Sequence, residues 1–165
     1  MKSIHAIFIT ILFFSGCSSL QINKSQKIKP TKDKIIAIIP FYNYTQTPYA
    51  GFSAASLSDV VLHNHGFKTK TFGLLPKPET LVDENSHAKV LEMVKKANIP
   101  YILEGKVTEW RYKTGIDAEP VVGFVVKIID TQSGETLFSS SGSKDALGAE
   151  SIANAASEVL EKILP

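Results

Sequence analysis

The sequence lacks most of what a cross-linked or catalytic protein is built from. Its 165 residues hold one cysteine, Cys17, so no intrachain disulfide can form. No G-x-S-x-G elbow, no Walker-type phosphate loop and no G-x-G-x-x-G run occurs, which removes the usual signatures of an acyl-transfer nucleophile and of nucleotide binding. Charge of one sign is missing too. Eighteen basic residues against 16 acidic ones leave a formal charge of +2, too near neutral to argue for a nucleic-acid partner. There is a single tryptophan, Trp110, and it sits among polar neighbours.

What is present begins at the N-terminus. Lys2 supplies a positive start, residues 4–14 form an apolar stretch, and Ser15-Gly16-Cys17 follows as a small-residue cleavage site. The apolar stretch is shorter than the roughly 18 to 20 residues that span a bilayer, so an uncleaved anchor is the poorer reading. Phe14-Ser15-Gly16-Cys17 resembles the bacterial lipobox, with Phe14 where leucine is usual. That resemblance implies cleavage before Cys17 and acylation of it, palmitate being the common N-acyl chain. Two or more chains anchor stably where one does not. Ser18 follows the cysteine where an aspartate would resemble an inner-membrane retention signal, so the expected location is the periplasmic face of the outer membrane.

Three parts are expected: a signal peptide over 1–16, a lipidated cysteine with a flexible tether over 17–33, and one periplasmic globular domain over 34–165. The tether carries Lys24, Lys27, Lys29 and Lys32 around Pro30 and shows no sustained helical or strand period. As a coil it would reach on the order of 20 to 25 Å. Its lysines either touch anionic headgroups or are simply solvated.

The domain reads as an α/β (α+β) fold with a mixed sheet in the order β-α-β-α-β-β-β-α. Residues 34–39 are an apolar run stopped by Pro40, suited to a strand buried on both faces. Helices are expected over 53–65, ended by Gly66, over 86–97, capped by Ser86, and over 149–164. Residues 67–72 alternate as a short strand, and 73–85 read as a loop. Strands at 101–111, 121–130 and 135–141 make an antiparallel meander, with the helices covering the sheet.

Period two in the first meander strand puts Leu103, Gly105 and Val107 on one face and Glu104, Lys106, Thr108 and Trp110 on the other. Trp110 is therefore expected at an exposed strand end, suited to the headgroup level, with Arg111 and Lys113 beside it for lipid phosphates. The competing reading is that a helix or a second subunit covers this face and the ring packs there. The aromatic loop from Phe41 to Tyr49, interleaved with Asn43 and Gln46, is either a sugar-stacking platform or a loop packed onto its sheet.

No catalytic or metal site is expected. His63 and His65 are two apart on a helix and point roughly 200° away from each other, so they do not share a metal. His87 has no partner visible in sequence. Ser53, Asp59 and His63 have the residue types of a triad but no helical geometry for one, and nothing suggests an oxyanion donor.

Two stretches carry a resemblance. Ile39-Pro40-Phe41 with Asn43 and Thr45 resembles the first-strand motif of periplasmic lipoproteins with a CsgG-like or TolB-N-terminal-like fold, a group that includes LpoB-like activators of penicillin-binding proteins. Residues 107–123, with 129–137 and Ser141-Gly142, are similar to the PelC family of outer-membrane lipoproteins of Pel exopolysaccharide export. The resemblance implies a non-enzymatic accessory without cofactor beyond the covalent lipid. It implies a homo-oligomeric ring beneath the outer membrane at the entrance of a β-barrel porin, with an acidic lumen that guides a cationic polysaccharide. It places the leaflet-contacting tryptophan at Trp110. Asp83 and Glu84 are candidates for the acidic path by chemistry, with Asp117 and Glu119 next. The alternative is an LpoB-like activator of an envelope enzyme, which would need a longer tether.

Overall fold

The computed structural model describes residues 19–26, 30–74, 84–114, 118–146 and 150–165, the side chains of Gln26, Glu84 and Asn85 excepted. The apolar run at the start of the domain becomes β2 (Ile35–Ile38), buried at three of its four positions. It lies parallel between β4 (Lys68–Thr71) and β5 (Tyr101–Tyr112). From β5 the sheet continues antiparallel through β6 (Pro120–Asp130) and β7 (Thr136–Asp145). The mixed sheet and its C-terminal meander are as the sequence predicts.

Two strands were not expected. The two-residue β3 (Tyr42–Asn43) pairs with β5 beyond the end of β2. More consequentially, β1 (Ser19–Gln26) occupies the segment expected to be a tether, and pairs antiparallel with β7 over its whole length. The sheet order is thus β1-β7-β6-β5-β2-β4. Local pattern could not reveal β1, because only Leu20 and Ile22 alternate. What holds it is the backbone ladder to β7 and one apolar plug: Gly142 lets Ile22, Val159 and Ile163 approach so closely that a Cβ there would lie 2.6 to 3.0 Å from them. β7 itself runs four residues past its expected end, because residues 142–145 are paired on both sides.

Helices α1 (Ala50–Asn64) and α3 (Ile152–Ile163) cover one face of the sheet, burying Ala54, Ala55, Leu62, Ala156, Val159 and Leu160 against Leu103, Phe124, Val126 and Ile128. α1 begins three residues earlier than expected, after Tyr49 in the left-handed region (φ 60). Ser151 caps α3, its hydroxyl accepting from the Asn154 N–H at 3.1 Å. Helix α2 (Glu84–Lys96) lies on the opposite face at the β2/β4 end, closing a small core of Ala37, Ile39, Phe72, Val94, Ile99 and Ile102. Asn98, at φ 51, ends it in the left-handed turn that commonly follows a helix.

The meander strands alternate, but β5 does so with a change of phase. Its register with β6 shifts between Val107 and Glu109. The extra residue, Thr108, turns the rest of the strand over, so Trp110 joins Leu103, Gly105 and Val107 on the helix-covered face. Gly105 serves the same face. The Phe41 ring lies across it, 2.3 Å from where a Cβ would stand.

Candidate functional site

Trp110 is 7% exposed and packs edge-on against Phe124, ring centroids 6.0 Å apart. The exposed-tip expectation is therefore corrected: strict period two fails at the bulge, and the ring belongs to the core. Its carbonyl accepts from the Thr47 hydroxyl at 2.5 Å, tying the aromatic loop to β5. Within that loop Asn43 bonds Thr45 and Thr47, and Phe41 is fully buried, so the loop packs on its sheet while Tyr44 stays 65% exposed.

The end of the sheet beyond the bulge gathers charge. Arg111 pairs with Glu109 at 3.1 Å. Lys113 pairs with Asp145 at 2.6 Å and Glu119 at 3.1 Å, and its hydrogen bond to Asp145, then that to Glu119, hold its pKa above the ordinary lysine value. Lys144 is nearly buried between Glu150 (2.8 Å) and Glu158 (2.6 Å). Burial opposes its charge, but the two carboxylates outweigh burial and raise its pKa. Arg111 and Lys113, expected to face lipid phosphates, thus already have carboxylate partners, and Glu119, an acidic-path candidate, is one of them.

Cross-strand register fixes what else lies at this end. Ser19 pairs with Asp145, Asp145 with Val121, and Val121 with Arg111. Position 19 is two residues after Cys17, so the start of β1 and the β5/β6 hairpin share one end of the sheet. Leu20, 38% exposed, and Tyr112, 47% exposed, are here as well. Sequence reasoning passed over both, since without the bulge and without β1 neither had a place.

Cys17, Asp83 and Asp117 lie outside the described residues, as does the Glu84 side chain. Ser53 and His63 stay on the exposed side of α1 and Asp59 is half-buried. His65 turns to α3, with Glu161 at 2.8 Å from Nε2 and the Pro165 oxygen at 2.7 Å from Nδ1. His87 is 3% exposed and stacks on Tyr42 with centroids 4.2 Å apart, its Nε2 3.9 Å from Glu104. Among the described residues no group of three histidine, cysteine or acidic side chains is placed to hold a metal ion, and no helix is long and apolar enough to cross a membrane.

Of the lysines expected in the tether, Lys24 reaches the Leu164 carbonyl at 3.4 Å and Lys32 lies over the Phe67 ring, 5.4 Å from its centroid. They fasten the N-terminal segment to the fold.

No family model and no curated protein matches the chain. Solved structures do. The PelC dodecamer from Paraburkholderia phytofirmans is 30% identical, with a TM-score of 0.73 over 88% of this chain and 95% of that one. A single-substitution variant of that dodecamer gives 29% and 0.74 over 88% and 96%. Lipoprotein GNA1162 from Neisseria meningitidis shares the fold, with a TM-score of 0.58 at 16% identity over 78% of this chain and 96% of that one.

Proposed function

This chain belongs to the PelC family, and from that membership we propose that it is a non-enzymatic outer-membrane lipoprotein that forms a homo-oligomeric ring and serves exopolysaccharide export. The observation that carries this reading is the 30% identity, sustained over 88% of the chain, to a protein that is a dodecamer. The ring sits on the periplasmic face of the membrane, around the entrance of a porin, and passes polysaccharide to it.

The short distance from Cys17 to β1 supports a close seat. Two residues extend at most about 7 Å, so a lipid on Cys17 holds the Ser19 end of the sheet at the headgroups. Leu20, Tyr112 and Arg111 are the larger side chains there that stand out to solvent among the described residues. The same short link speaks against an activator that must cross the periplasm on a long tether. Facing carboxylates repeated around a ring would concentrate a cationic polymer, and Asp83 and Glu84 remain the candidates for them, with Asp117 next.

The test is a strain lacking the gene, complemented with the chain and its variants. Wild type restores exported polymer and fractionates with the outer membrane. Cys17→Ser loses both, leaving soluble or unprocessed protein. Charge reversal at Asp83 and Glu84 together lowers export at unchanged protein level; unchanged export would move the acidic path to Asp117. A lipidated wild-type protein that is strictly monomeric in detergent at micromolar concentration, with export indifferent to its deletion, would overturn the reading.

A further inference from the structure

The outward face of the strands β6, β7 and β1 is not covered by any helix among the described residues. Directly paired residues share a face, and the register lays this one out in rows. Val125, Ser141 and Asn23 form one row, Gly123, Ser143 and Gln21 the next, and Lys127, Ser139 and Ser25 a third. Lys127 and Asp145 stand at opposite corners, and Asp145 is already held by Lys113. Between them the three rows carry only uncharged side chains, mostly serine and glycine, and a shallow depression of about 320 Å³ lies over Asn23, Ser25, Val125, Ser139 and Ser141, with Lys24 and Ser140 also lining it.

A second surface has the same character. The outward sides of α2 and α3 carry the usual solvent charges: Lys89, Glu92, Lys95 and Lys96 on one, Glu158, Glu161 and Lys162 on the other. α1 does not. Its exposed stripe runs Ser53, Ser56, Val60 and His63, and its one carboxylate, Asp59, is half-buried to the side. Val60 is 57% exposed at the middle of the stripe. A long helix face without lysine or carboxylate is unusual for a surface that remains in water.

These two surfaces lie on opposite sides of the protomer, because α1 packs on the other face of the sheet. A closed ring needs that arrangement: two different patches, one on each side, meeting head to tail. Resting on the ring reading above, we propose that the uncovered face of β6, β7 and β1 is the docking surface for the α1 stripe of the next copy of this chain. Each protomer then receives from its neighbour the helical layer that its own sheet lacks on that face. The facing rows and stripe being uncharged, with Lys24 bonded to the Leu164 carbonyl and Asp59 turned to the side, their meeting buries little charge.

The two sides can be broken separately. Val60→Glu spoils the helix side at an exposed position, and Val125→Glu spoils the sheet side. In detergent-solubilised lipidated protein, read by mass photometry or native mass spectrometry, each variant falls from the wild-type oligomer to monomer while keeping a folded circular-dichroism spectrum. Mixed one to one, they give a heterodimer of twice the monomer mass and nothing larger, since each supplies one intact surface. Variants that still assemble as wild type would overturn the assignment and leave the ring reading intact. So would a Val125→Glu protein that assembles normally but exports less polymer, which would make the sheet face a polysaccharide surface. A monomeric wild type would overturn both readings together.

Discussion

The strands β5, β6 and β7 have two faces, and neighbouring residues on one strand experience opposite environments. On the covered face Leu103, Phe124, Val126, Ile128 and Phe138 are all within 2% to 0% of full burial, except where Lys144 enters with its two carboxylates. On the other face Lys106, Lys127, Val125, Ser139, Ser141 and Ser143 remain open or half-open to solvent. The lesson is that most of the core of these strands lies on one face, while the other buries Ile102 under α2 at the β2 end and carries small, uncharged side chains over much of β6 and β7. That difference makes the second face informative about partners.

Trp110→Ala tests the comparison most severely. If the ring is core, its removal leaves a cavity beside Phe124 and costs about 3 to 5 kcal/mol, seen as a melting temperature lower by roughly 10 °C or more. A melting curve unchanged by the substitution would return Trp110 to the surface. Gly105→Ala comes next. Its new methyl group meets the Phe41 ring inside contact distance, and such overpacking costs about 1 to 3 kcal/mol. Chemical denaturation measures it, and a neutral result would show that Phe41 can swing away freely.

Both residues also show where the sequence was legible and where it was not. The apolar run of β2, the helical stripes of α1 and α3 and the alternation of β6 are local signals, and each element formed within three residues of its expected bounds. Trp110 was misplaced by one inserted residue. Period two is a sound rule only while the register is unbroken, and nothing in Val107-Thr108-Glu109 announces the bulge, at which the Thr108 hydroxyl comes to lie 2.6 Å from where a Cβ on Gly123 would stand. β1 was missed for a related reason: its pairing with β7 joins residues more than a hundred positions apart, and its own composition reads as linker. The Cys17 signal rests on local pattern alone, whereas the proposed surfaces of assembly have no local pattern, because they are defined by which faces go uncovered in three dimensions.

Lys144 permits a finer test of the covered face. Its folded pKa stands above the ordinary 10.5, since Glu150 and Glu158 favour the charged form more than burial disfavours it. The stability it contributes is fully present below pH 10.5 and is lost as pH rises through the raised folded value. Unfolding free energy of the wild type should therefore decline above that point, and Lys144→Met should decline less steeply over the same range. Parallel curves would mean that Lys144 loses its proton in the folded protein as readily as in the unfolded one.

The smallest effect is expected at Val125, and the comparison with its neighbour gives it meaning. Val126 is fully buried on the covered face, and truncating it to alanine should cost about 2 kcal/mol through lost transfer energy and the space left behind. Val125, one residue earlier on the same strand, is only half-buried and packs against no helix, so Val125→Ala should change the stability of dilute monomer by less than about 0.5 kcal/mol. Raising the protein concentration sharpens the contrast. A side chain that a second copy covers contributes to a concentration-dependent midpoint, whereas one that faces only water does not. The loss at Val125 should accordingly grow with protein concentration while the loss at Val126 keeps its monomer share at every dilution. A Val125 deficit as large as that of Val126 in dilute monomer would mean that both faces of the strand are already core, and the distinction between them would fall.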